Sequence, residues 1–471
     1  MIARADHPVS RALVVPAALK VLYRLKEAGY QAFLVGGCVR DIMLGITPKD
    51  FDVATDARPE DVRRLFRSCR LIGRRFRLAH VRFGNDIIEV ATFRATHEPG
   101  EPEDLDDELG DREGEGGESV LPEDLEVDAR MDLVPDTPAV ATGERVQDLS
   151  GRLLRDNLYG SIDQDVWRRD FTCNALYYNI EDFSIWDYVG GVADVRDRCL
   201  RLIGDPETRY REDPVRMLRA VRFQAKLAFS LHAETEAPIA RLAPLLDGIP
   251  AARLFDEIQK LFLAGFARRS FDLLCGHRLL EHLFPSLAAH LARETTGMSR
   301  RLVEHGLAST DRRVTEGRPV TPTFLFAVLL FGPISDAAQR RFDAGKPATL
   351  AIAEGCDEVV TAQVRRIGLP RRFSIPLREM LALQPRFHRR EGRKALGLLN
   401  HPRFRAAYDF LLLRAEAGCE DPGVASWWTA IQDMSAEERI AQVERPRAPG
   451  EPRPAGTARR RRRRRPAAPP T

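Results

Sequence analysis

Two short motifs near the N-terminus bring together residues that could bind a nucleoside triphosphate and a metal ion. The first is an apolar run, 33–35, that leads into Gly36 and Gly37, and the second is Asp50-Phe-Asp52. A buried strand that ends in glycine lets the backbone approach a phosphate closely. If Asp50 and Asp52 lie on one strand, both carboxylates point to the same face, and hard oxygen ligands suit Mg²⁺. Together the motifs predict nucleotidyl transfer.

A third carboxylate is expected beside this pair, because two Mg²⁺ or Mn²⁺ ions would have to bridge an attacking 3′-hydroxyl and the α-phosphate of a nucleotide. Glu89 is one candidate, since its strand-like segment could pair beside the Asp-x-Asp strand. Asp170 is the other, since it follows Arg168 and Arg169 at the start of a further strand-like segment. Either arginine could bind phosphate or ribose through its guanidinium. The sequence leaves the choice between the two carboxylates open.

A third group of polar residues lies on a helix that is predicted to begin near Pro214, with acids before the proline as caps. Three arginines recur every three residues and share one side of this helix: Arg216, Arg219 and Arg222. One interpretation is a solvated basic face. The other is a nucleotide-facing surface, on which Asp213 and Arg216 hydrogen-bond a base edge and the other arginines contact phosphates.

The elements around these motifs predict an α+β fold. The predicted helices near the N-terminus cover 16–29, 39–44 and 59–66, and the predicted strands cover 32–35, 50–54, 78–83, 87–93, 171–180 and 185–189. Leucine-rich periodicity from about residue 205 to about residue 432 indicates helices. The chain is therefore expected to form a small mixed sheet with helices, followed by an all-helical region.

The composition is that of a soluble protein with two to four domains: 471 residues, 44% hydrophobic and 30% charged, with a formal net charge of +3. Seven dispersed cysteines without a C-x-x-C pair are typical of reduced thiols. The apolar stretch 12–22 is interrupted by Pro16 and Lys20, so it is too short and too charged for a membrane span or a signal peptide. These features predict a cytoplasmic protein with no integral membrane segment.

Two segments are predicted to be disordered. Residues 98–132 contain sixteen Asp or Glu residues against two Arg and no aromatic residue, so they cannot bury enough surface to become ordered. The sequence from about residue 444 is rich in Pro and Arg and includes seven consecutive arginines at 459–465.

Basic clusters predict an RNA substrate, because arginine and lysine supply phosphate affinity and interleaved aromatic residues can stack on bases. The clusters are Arg63, Arg64, Arg67 and Arg70; Arg74, Arg75 and Arg77; and Arg386, Arg389, Arg390, Arg393 and Lys394 around Phe387 and His388. Any one cluster could be an ordinary solvated face. Several of them on a chain with nucleotidyl-transfer motifs favour RNA.

These motifs resemble those of the class II nucleotidyltransferases, which include tRNA CCA-adding enzymes and bacterial poly(A) polymerases. The similarity runs over 24–94, resumes at 154–157, continues to 227 and is weaker in the C-terminal half. The resemblance implies a nucleotidyltransferase palm followed by a helical neck and body that hold RNA. It implies that Asp50 and Asp52 are catalytic metal ligands and that Asp170 is a further catalytic residue. It also implies a hinge at 187–191.

By the same resemblance, one set of residues is expected to bind ATP: Gly36, Gly37, Arg40, Arg169, Asp213, Arg216 and Arg219. Within this set Gly36, Gly37 and Arg40 would face the triphosphate, and Asp213 and Arg216 would read the base. The expected domains are an N-terminal helix (1–30), a palm (31–204) with a disordered acidic insertion (98–140), a neck (205–265), an RNA-binding body (266–435) and a disordered basic tail (436–471).

The poly(A) polymerase branch is the more similar one, because the segment 69–80 and the arginine tail resemble it and the His-Gly-Thr run common in CCA-adding relatives is absent from this segment. The acidic insertion is the main departure from the family pattern. The expected activity is template-independent addition of AMP from ATP to the 3′ ends of mRNAs and small RNAs, in polyadenylation and RNA turnover. RNA-degradation machinery or an RNA chaperone is an expected partner. The alternatives are a tRNA CCA-adding enzyme and a non-catalytic RNA-binding protein.

Overall fold

The computed structural model describes residues 1–73, 77–95, 145–147, 153–156 and 159–444, which form two compact units. The first unit contains the described residues between Met1 and Arg169 together with Asn174–Val189. The second contains Asp170–Cys173 and the described residues from Gly190 onward. The acidic insertion, Arg74, Arg75 and the tail beyond residue 444 lie outside the described residues. The prediction of a disordered tail over 436–471 is wrong for 436–444, which form a helix. The finer division into palm, neck and body stays a prediction.

A seven-stranded mixed sheet forms the centre of the first unit. The strands of this unit are β1 (Ala32–Val35), β2 (Asp52–Thr55), β3 (Cys69–Ile72), β4 (Leu78–Phe83), β5 (Asp86–Thr92), β6 (Arg145–Gln147), β7 (Leu153–Asp156), β8 (Leu176–Asn179) and β9 (Ile185–Asp187). The sheet order is β3-β4-β5-β2-β1-β8-β9, with β2 and β5 parallel and the other neighbours antiparallel. Strands β6 and β7 form a separate antiparallel pair.

Strand β1 is buried on both faces, as its unbroken apolar sequence predicts. Phe33 on this strand packs against the rings of Phe93, Tyr177 and Trp186. The helices of this unit are α1 (Pro16–Glu27), α2 (Gly37–Met43), α3 (Pro59–Leu65) and α4 (Ile162–Arg168). Helix α1 packs on the sheet through buried apolar residues at helical spacing, among them Val21, Leu22 and Leu25.

The predicted α+β class is confirmed, and most predicted elements of this unit lie within two residues of the observed ones. The predicted strand 171–180 is wrong in its first half, because Thr172–Asn174 form a 3₁₀ turn and β8 begins only at Leu176. Strand β3 and helix α4 were not predicted. Helix α4 has a recognisable start, since Ser161 and Gln164 form a capping box.

The second unit is mainly helical, as the leucine-rich periodicity predicts. Its elements are α5 (Gly191–Arg196), β10 (Cys199–Leu200), α6 (Pro206–Glu212), α7 (Val215–Leu227), β11 (Ser230–Leu231), α8 (Ala233–Glu236), α9 (Ile239–Leu242), α10 (Ala251–Phe262), α11 (Ala267–Gly276), α12 (Leu280–Leu283), α13 (Pro285–Arg293), α14 (Met298–Thr315), α15 (Pro322–Asp343), α16 (Ala348–Ile367), α17 (Arg371–Ala382), α18 (Arg393–Leu396), α19 (Phe404–Glu416), α20 (Pro422–Asp433) and α21 (Ala436–Glu444). Strands β10 and β11 form a short parallel pair.

Helix α15 is the one described helix that is long and apolar enough to cross a membrane by length and composition. Its most apolar window is 61% buried inside the structure, which is the burial expected of a core helix. All seven cysteines are free thiols, as their dispersed spacing predicts.

Candidate active site

The glycine turn lies where β1 ends and α2 begins. Gly36 has φ +79° and ψ −134°, a backbone conformation that residues with a Cβ rarely adopt. A Cβ atom at this position would lie 3.7 Å from the Arg169 Nη1 atom and from the Asn174 carbonyl oxygen. The turn therefore requires glycine for its backbone and leaves the chain open to close approach by a ligand.

Replacing Gly36 by alanine is expected to lower the free energy of unfolding by about 1–3 kcal/mol, because a Cβ is strained at this φ. Incorporation of nucleotide should fall as well, because the distorted turn no longer fits a phosphate. The matched control is Gly45→Ala, since Gly45 has φ +73° and an added Cβ there would meet no atom within 4 Å. Urea unfolding and primer extension on both variants test the prediction. Equal activity of the two variants would contradict a role for the turn in nucleotide binding.

Arg40 lies beneath this turn, in the interior of the first unit. Its side chain is buried, and its Nε and Nη2 atoms donate to the Asp41 carboxylate at 2.9 and 2.6 Å. A further N–H donates to the Asn174 side-chain oxygen. In this arrangement Arg40 supports the turn from below. Its predicted contact with the triphosphate stays a prediction.

The Asp-x-Asp motif lies next to the turn, although the strand begins later than predicted. Strand β2 starts at Asp52, so the prediction that Asp50 lies on the strand is wrong. Burial still alternates along the motif, with Asp50 exposed, Phe51 buried and Asp52 half-buried. The sheet register pairs Asp52 with Val35, the residue before Gly36. The motif and the glycine turn therefore meet at one edge of the sheet.

Glu89 is the carboxylate that the sheet places opposite Asp52. The two residues are register partners on the parallel strands β2 and β5, so their side chains lie on the same face. On the far side of Glu89, His80 is its register partner on β4, with its Nε2 atom 3.5 Å from the Glu89 Oε2 atom. The half-buried His80 is a polar neighbour that the sequence motifs did not single out.

Burial, reinforced by the Glu89 carboxylate, raises the pKa of Asp52 to about 6. Asp50 acts in the same direction, and the Arg169 guanidinium opposes it. Asp50 and Glu89 are thus each close enough to Asp52 to disfavour its ionised form. A divalent cation would relieve this repulsion and favour the ionised forms.

These carboxylates suit Mg²⁺ in particular. Among the residues that the structure describes, no group of three or more His, Cys, Asp or Glu side chains is arranged to hold a metal ion alone. Mg²⁺ is commonly bound by one or two carboxylates, with waters and substrate phosphates as the remaining ligands. A pair of carboxylates fits that pattern when the oxygens of a bound triphosphate supply further ligands to the ion.

Asp170 has a different partner, because its Oδ2 atom accepts a hydrogen bond from the Arg219 Nε atom at 2.8 Å. Its other oxygen accepts from the backbone N–H of Phe171 at 2.8 Å. Asp170 also belongs to the second unit, whereas Asp52 and Glu89 belong to the first. The register places Glu89 beside Asp52, and the roles of Glu89 and Asp170 as third carboxylate both stay predictions.

Arg169 is held by a buried polar cluster at the end of α4. Its Nε and Nη2 atoms donate to the Asp165 carboxylate at 3.1 and 3.0 Å, and its Nε also donates to the Tyr177 hydroxyl at 2.7 Å. The Tyr177 hydroxyl donates to Asp165 at 2.6 Å. Although burial acts against it, Tyr177 and Asp165 raise the pKa of Arg169 above its usual range. The guanidinium therefore stays charged and fixed close to Gly36.

Asp165 and Tyr177 are residues of the site that the sequence motifs did not identify. One local signal was available for Asp165, since it precedes Arg169 by four residues, the spacing of an ion pair on a helix. No local signal pointed to Tyr177, because it meets the pair through the fold.

In the second unit, the arginine face of α7 is paired with acids, so the interpretation as a solvated basic face is wrong. Arg216 is buried, and its Nη1 atom lies 3.1 Å from the Glu212 carboxylate and donates to the Arg209 carbonyl oxygen at 2.8 Å. Arg219 pairs with Asp170, and Arg222 lies 3.4 Å from Glu257. Fixed, buried charges of this kind suit recognition of a polar ligand.

Asp213 forms an ion pair with Arg253, in which the Asp213 Oδ2 atom lies 2.6 Å from the Arg253 Nη2 atom. The Asp213 and Arg216 side chains are therefore both held by neighbouring charges. Their predicted role in reading a base stays a prediction.

The basic clusters differ in how much they leave exposed. Arg63, Arg67 and Arg70 carry no ion pair among the residues that the structure describes, whereas Arg64 pairs with Asp61 and Arg77 lies 2.5 Å from Glu60. Phe387 is buried against Trp428 and Phe404. The prediction that the cluster at 386–390 offers this aromatic ring for base stacking is therefore wrong.

Comparison with known proteins places this chain in a family. The chain matches the family described as poly A polymerase head domain over residues 32–201, the probable RNA and SrmB-binding site of polymerase A over 228–291, and the polymerase A arginine-rich C-terminus over 344–466. It is 46% identical to poly(A) polymerase I of Escherichia coli O6:H1 (strain CFT073) over 435 residues, which are 92% of this chain and 85% of that protein.

CCA-adding enzymes are more distant relatives. The chain is 34% identical to the CCA-adding enzyme of Bacillus subtilis (strain 168) over 266 residues, 56% of this chain and 55% of that protein. The solved structure of the Thermotoga maritima CCA-adding enzyme complexed with tRNA has the same fold, with a TM-score of 0.53 at 17% identity, over 90% of this chain and 82% of that one. The chain therefore belongs to the bacterial poly(A) polymerase I family of nucleotidyltransferases.

Proposed function

We propose that this chain is a metal-dependent ATP:RNA adenylyltransferase that adds AMP to RNA 3′ ends without a template. The observation that carries the proposal is the register of the sheet, which brings Asp52 next to the glycine turn and opposite Glu89. The family supports a nucleotidyltransferase acting on RNA, and the site geometry supports a triphosphate and a divalent cation as its ligands.

The reaction needs no covalent enzyme intermediate. The RNA 3′-hydroxyl oxygen attacks the α-phosphorus of ATP, a new P–O bond forms, and the bond to pyrophosphate breaks. Asp52, with Asp50 and Glu89 beside it, would hold Mg²⁺ or Mn²⁺ together with the triphosphate, and the cation would supply positive charge against the negative charge that develops in the reaction. Gly36 and Gly37 leave room for the triphosphate. Positioning and charge stabilisation then account for the rate.

Selection of adenine is assigned to the second unit. Asp213 and Arg216 would offer an acceptor and a donor for the edge of the base, and Arg219 would offer a guanidinium group to the sugar or phosphates. Arg169, which belongs to the first unit, would offer a further guanidinium to the phosphates. Arg253 and Glu212 hold the reading pair in place. A fixed pair of this kind rejects a wrong base strongly, because a mismatch leaves buried polar groups without partners.

The test is primer extension by the purified protein, with a generic oligo(A) primer and each of the four nucleoside triphosphates supplied separately. Long A tracts from ATP alone are expected, with Mg²⁺ or Mn²⁺ required and with complete loss of activity in excess EDTA. Addition of two C residues and one A to tRNA only would overturn the proposal in favour of a CCA-adding enzyme. No incorporation at all, together with RNA binding, would point to a non-catalytic RNA-binding protein.

We place this activity in the cytoplasm, on the 3′ ends of mRNAs and small RNAs, as part of polyadenylation and RNA turnover. RNA-degradation machinery or an RNA chaperone would be the protein partner. Dispersed free thiols are consistent with a reducing compartment.

A further inference from the structure

A cavity of about 390 Å³ lies in the second unit, apart from every residue assigned to catalysis. It is bounded by α14, by the start of α15 and by α19. Its lining combines cations, two acids, hydroxyl groups and an aromatic ring, and the residues that matter here are Arg312, Arg313, Arg405, Asp409, Glu416 and Phe324. Volumes of this size are typical of small-ligand sites. The cavity also lies outside the RNA-binding family match at 228–291.

The cations of this cavity are only partly neutralised. Within the described parts of the chain, the exposed Arg312 makes no hydrogen bond or ion pair through its guanidinium. Arg313 donates to the Pro319 carbonyl oxygen at 3.2 and 3.0 Å, so its charge has no counter-ion there. Arg405 pairs with Asp409 at 3.0 Å. The Arg312 guanidinium, which has no partner among the residues described, and the Arg313 guanidinium, which has no counter-ion there, together favour binding of an anion.

Glu416, a carboxylate that lines the cavity, indicates the chemistry of the rest of the ligand. Glu416 is exposed and has no hydrogen-bond or ion-pair partner among the described residues. A carboxylate can accept a hydrogen bond from the exocyclic amine of adenine, cytosine or guanine. The half-buried Phe324 offers a ring against which a base can stack. Cation, carboxylate and ring together match a nucleotide better than a simple anion.

We propose that this cavity binds one nucleotide of the RNA strand, with its phosphate at Arg312 and Arg313 and its base at Phe324 and Glu416. The charges favour a single phosphodiester over a free triphosphate, because the lining holds three arginines against Asp409 and Glu416, an excess of one positive charge. The inference rests on the proposed function, since it takes the RNA substrate from there. It adds a binding site for RNA in α14, α15 and α19.

The first experiment measures the affinity of Arg312→Gln for a fluorescein-labelled single-stranded RNA of about 20 nucleotides by anisotropy, over a series of salt concentrations. Loss of one phosphate contact is expected to raise Kd about fivefold and to reduce the slope of log affinity against log salt by about 0.7. Arg365→Gln is the matched control, because Arg365 is exposed on α16 and does not line the cavity. Thermal unfolding of both variants checks that they fold.

The second experiment uses Glu416→Gln with A-rich and U-rich RNAs of the same length. Uracil has no exocyclic amine, so the wild-type protein should prefer the A-rich strand, and the variant should lose part of that preference. An unchanged Kd and salt slope in Arg312→Gln, or an unchanged preference in Glu416→Gln, would overturn the proposal. A raised KM for ATP with unchanged RNA affinity would also overturn it, because the cavity would then hold a free nucleotide.

The outcome for this cavity can be separated from the outcome for the proposed function. With saturating RNA, Arg312→Gln should incorporate AMP at the wild-type rate, because Arg312 is not among the residues assigned to the metal, the triphosphate or the base. If RNA affinity is unchanged while AMP is incorporated, the cavity proposal fails and the function stands. If the wild-type protein incorporates no AMP while Arg312→Gln still weakens RNA binding, the cavity stands and the function fails.

Discussion

Asp52→Asn is expected to reduce AMP incorporation by at least about 1,000-fold, equivalent to about 4 kcal/mol in the activation free energy. An amide carries no negative charge with which to help bind the divalent cation that the reaction would need. Binding of ATP should weaken less than the rate falls, because the glycine turn remains intact. Single-turnover primer extension with saturating RNA and ATP measures the effect.

The same substitution should leave the metal-free protein as stable as the wild type or more stable. The pKa of Asp52 is raised from 3.8 in the unfolded chain to about 6 in the folded protein. A raised pKa in a carboxyl group means that ionisation costs stability, and at pH 7, above both values, the full cost is present. The uncharged amide of the Asp52→Asn variant removes that cost. A lower unfolding temperature for the variant in EDTA would contradict this account of the site.

The matched control for Asp52 is Asp56→Asn. Asp56 is exposed just beyond the end of β2, and its carboxylate accepts a hydrogen bond from the Gln31 N–H at 2.8 Å. Asparagine keeps an acceptor at this position. Wild-type activity in Asp56→Asn and loss in Asp52→Asn would show that the effect belongs to the carboxylate of the motif. Equal loss in both would assign it to the packing of β2.

Glu89→Gln is expected to lower the rate about 100-fold and to raise the Mg²⁺ concentration for half-maximal activity at least about tenfold, since loss of a ligand weakens metal binding. Asp170→Asn should also lower the rate, because Arg219 loses its partner, but it should leave the Mg²⁺ dependence unchanged. Rates measured over a Mg²⁺ titration, and again with Mn²⁺, separate the two residues.

Asp86→Asn serves as the control for Glu89, because Asp86 is an exposed carboxylate at the start of the same strand, β5. It should behave as the wild type throughout the titration. A shifted Mg²⁺ requirement in Asp170→Asn and none in Glu89→Gln would reverse the assignment of the third carboxylate.

Much of the first unit could be predicted from local sequence. The apolar run of β1, the glycine that follows it and the prolines in the first turns of α1 and α3 depend on neighbours within a few residues, so the sequence shows them directly. The position of the Asp-x-Asp motif was predicted as well. The start of β2 was not, because a strand begins where hydrogen bonds to its neighbours begin, and the neighbour here is β1.

Contacts between residues that are distant in sequence decided which side chains meet at the site and which are buried. The proximity of Glu89 to Asp52 depends on the register of β2 against β5, and 37 positions separate the two residues in the chain. The buried positions of Arg40 and Phe387 depend on partners such as Asn174 and Trp428, far away in sequence. Sequence alone determined which chemical groups are present, namely two acids near a glycine turn, because residue types and short-range spacing are read from the sequence directly. Tertiary structure decided which charges meet, because burial and register come from packing across the whole unit.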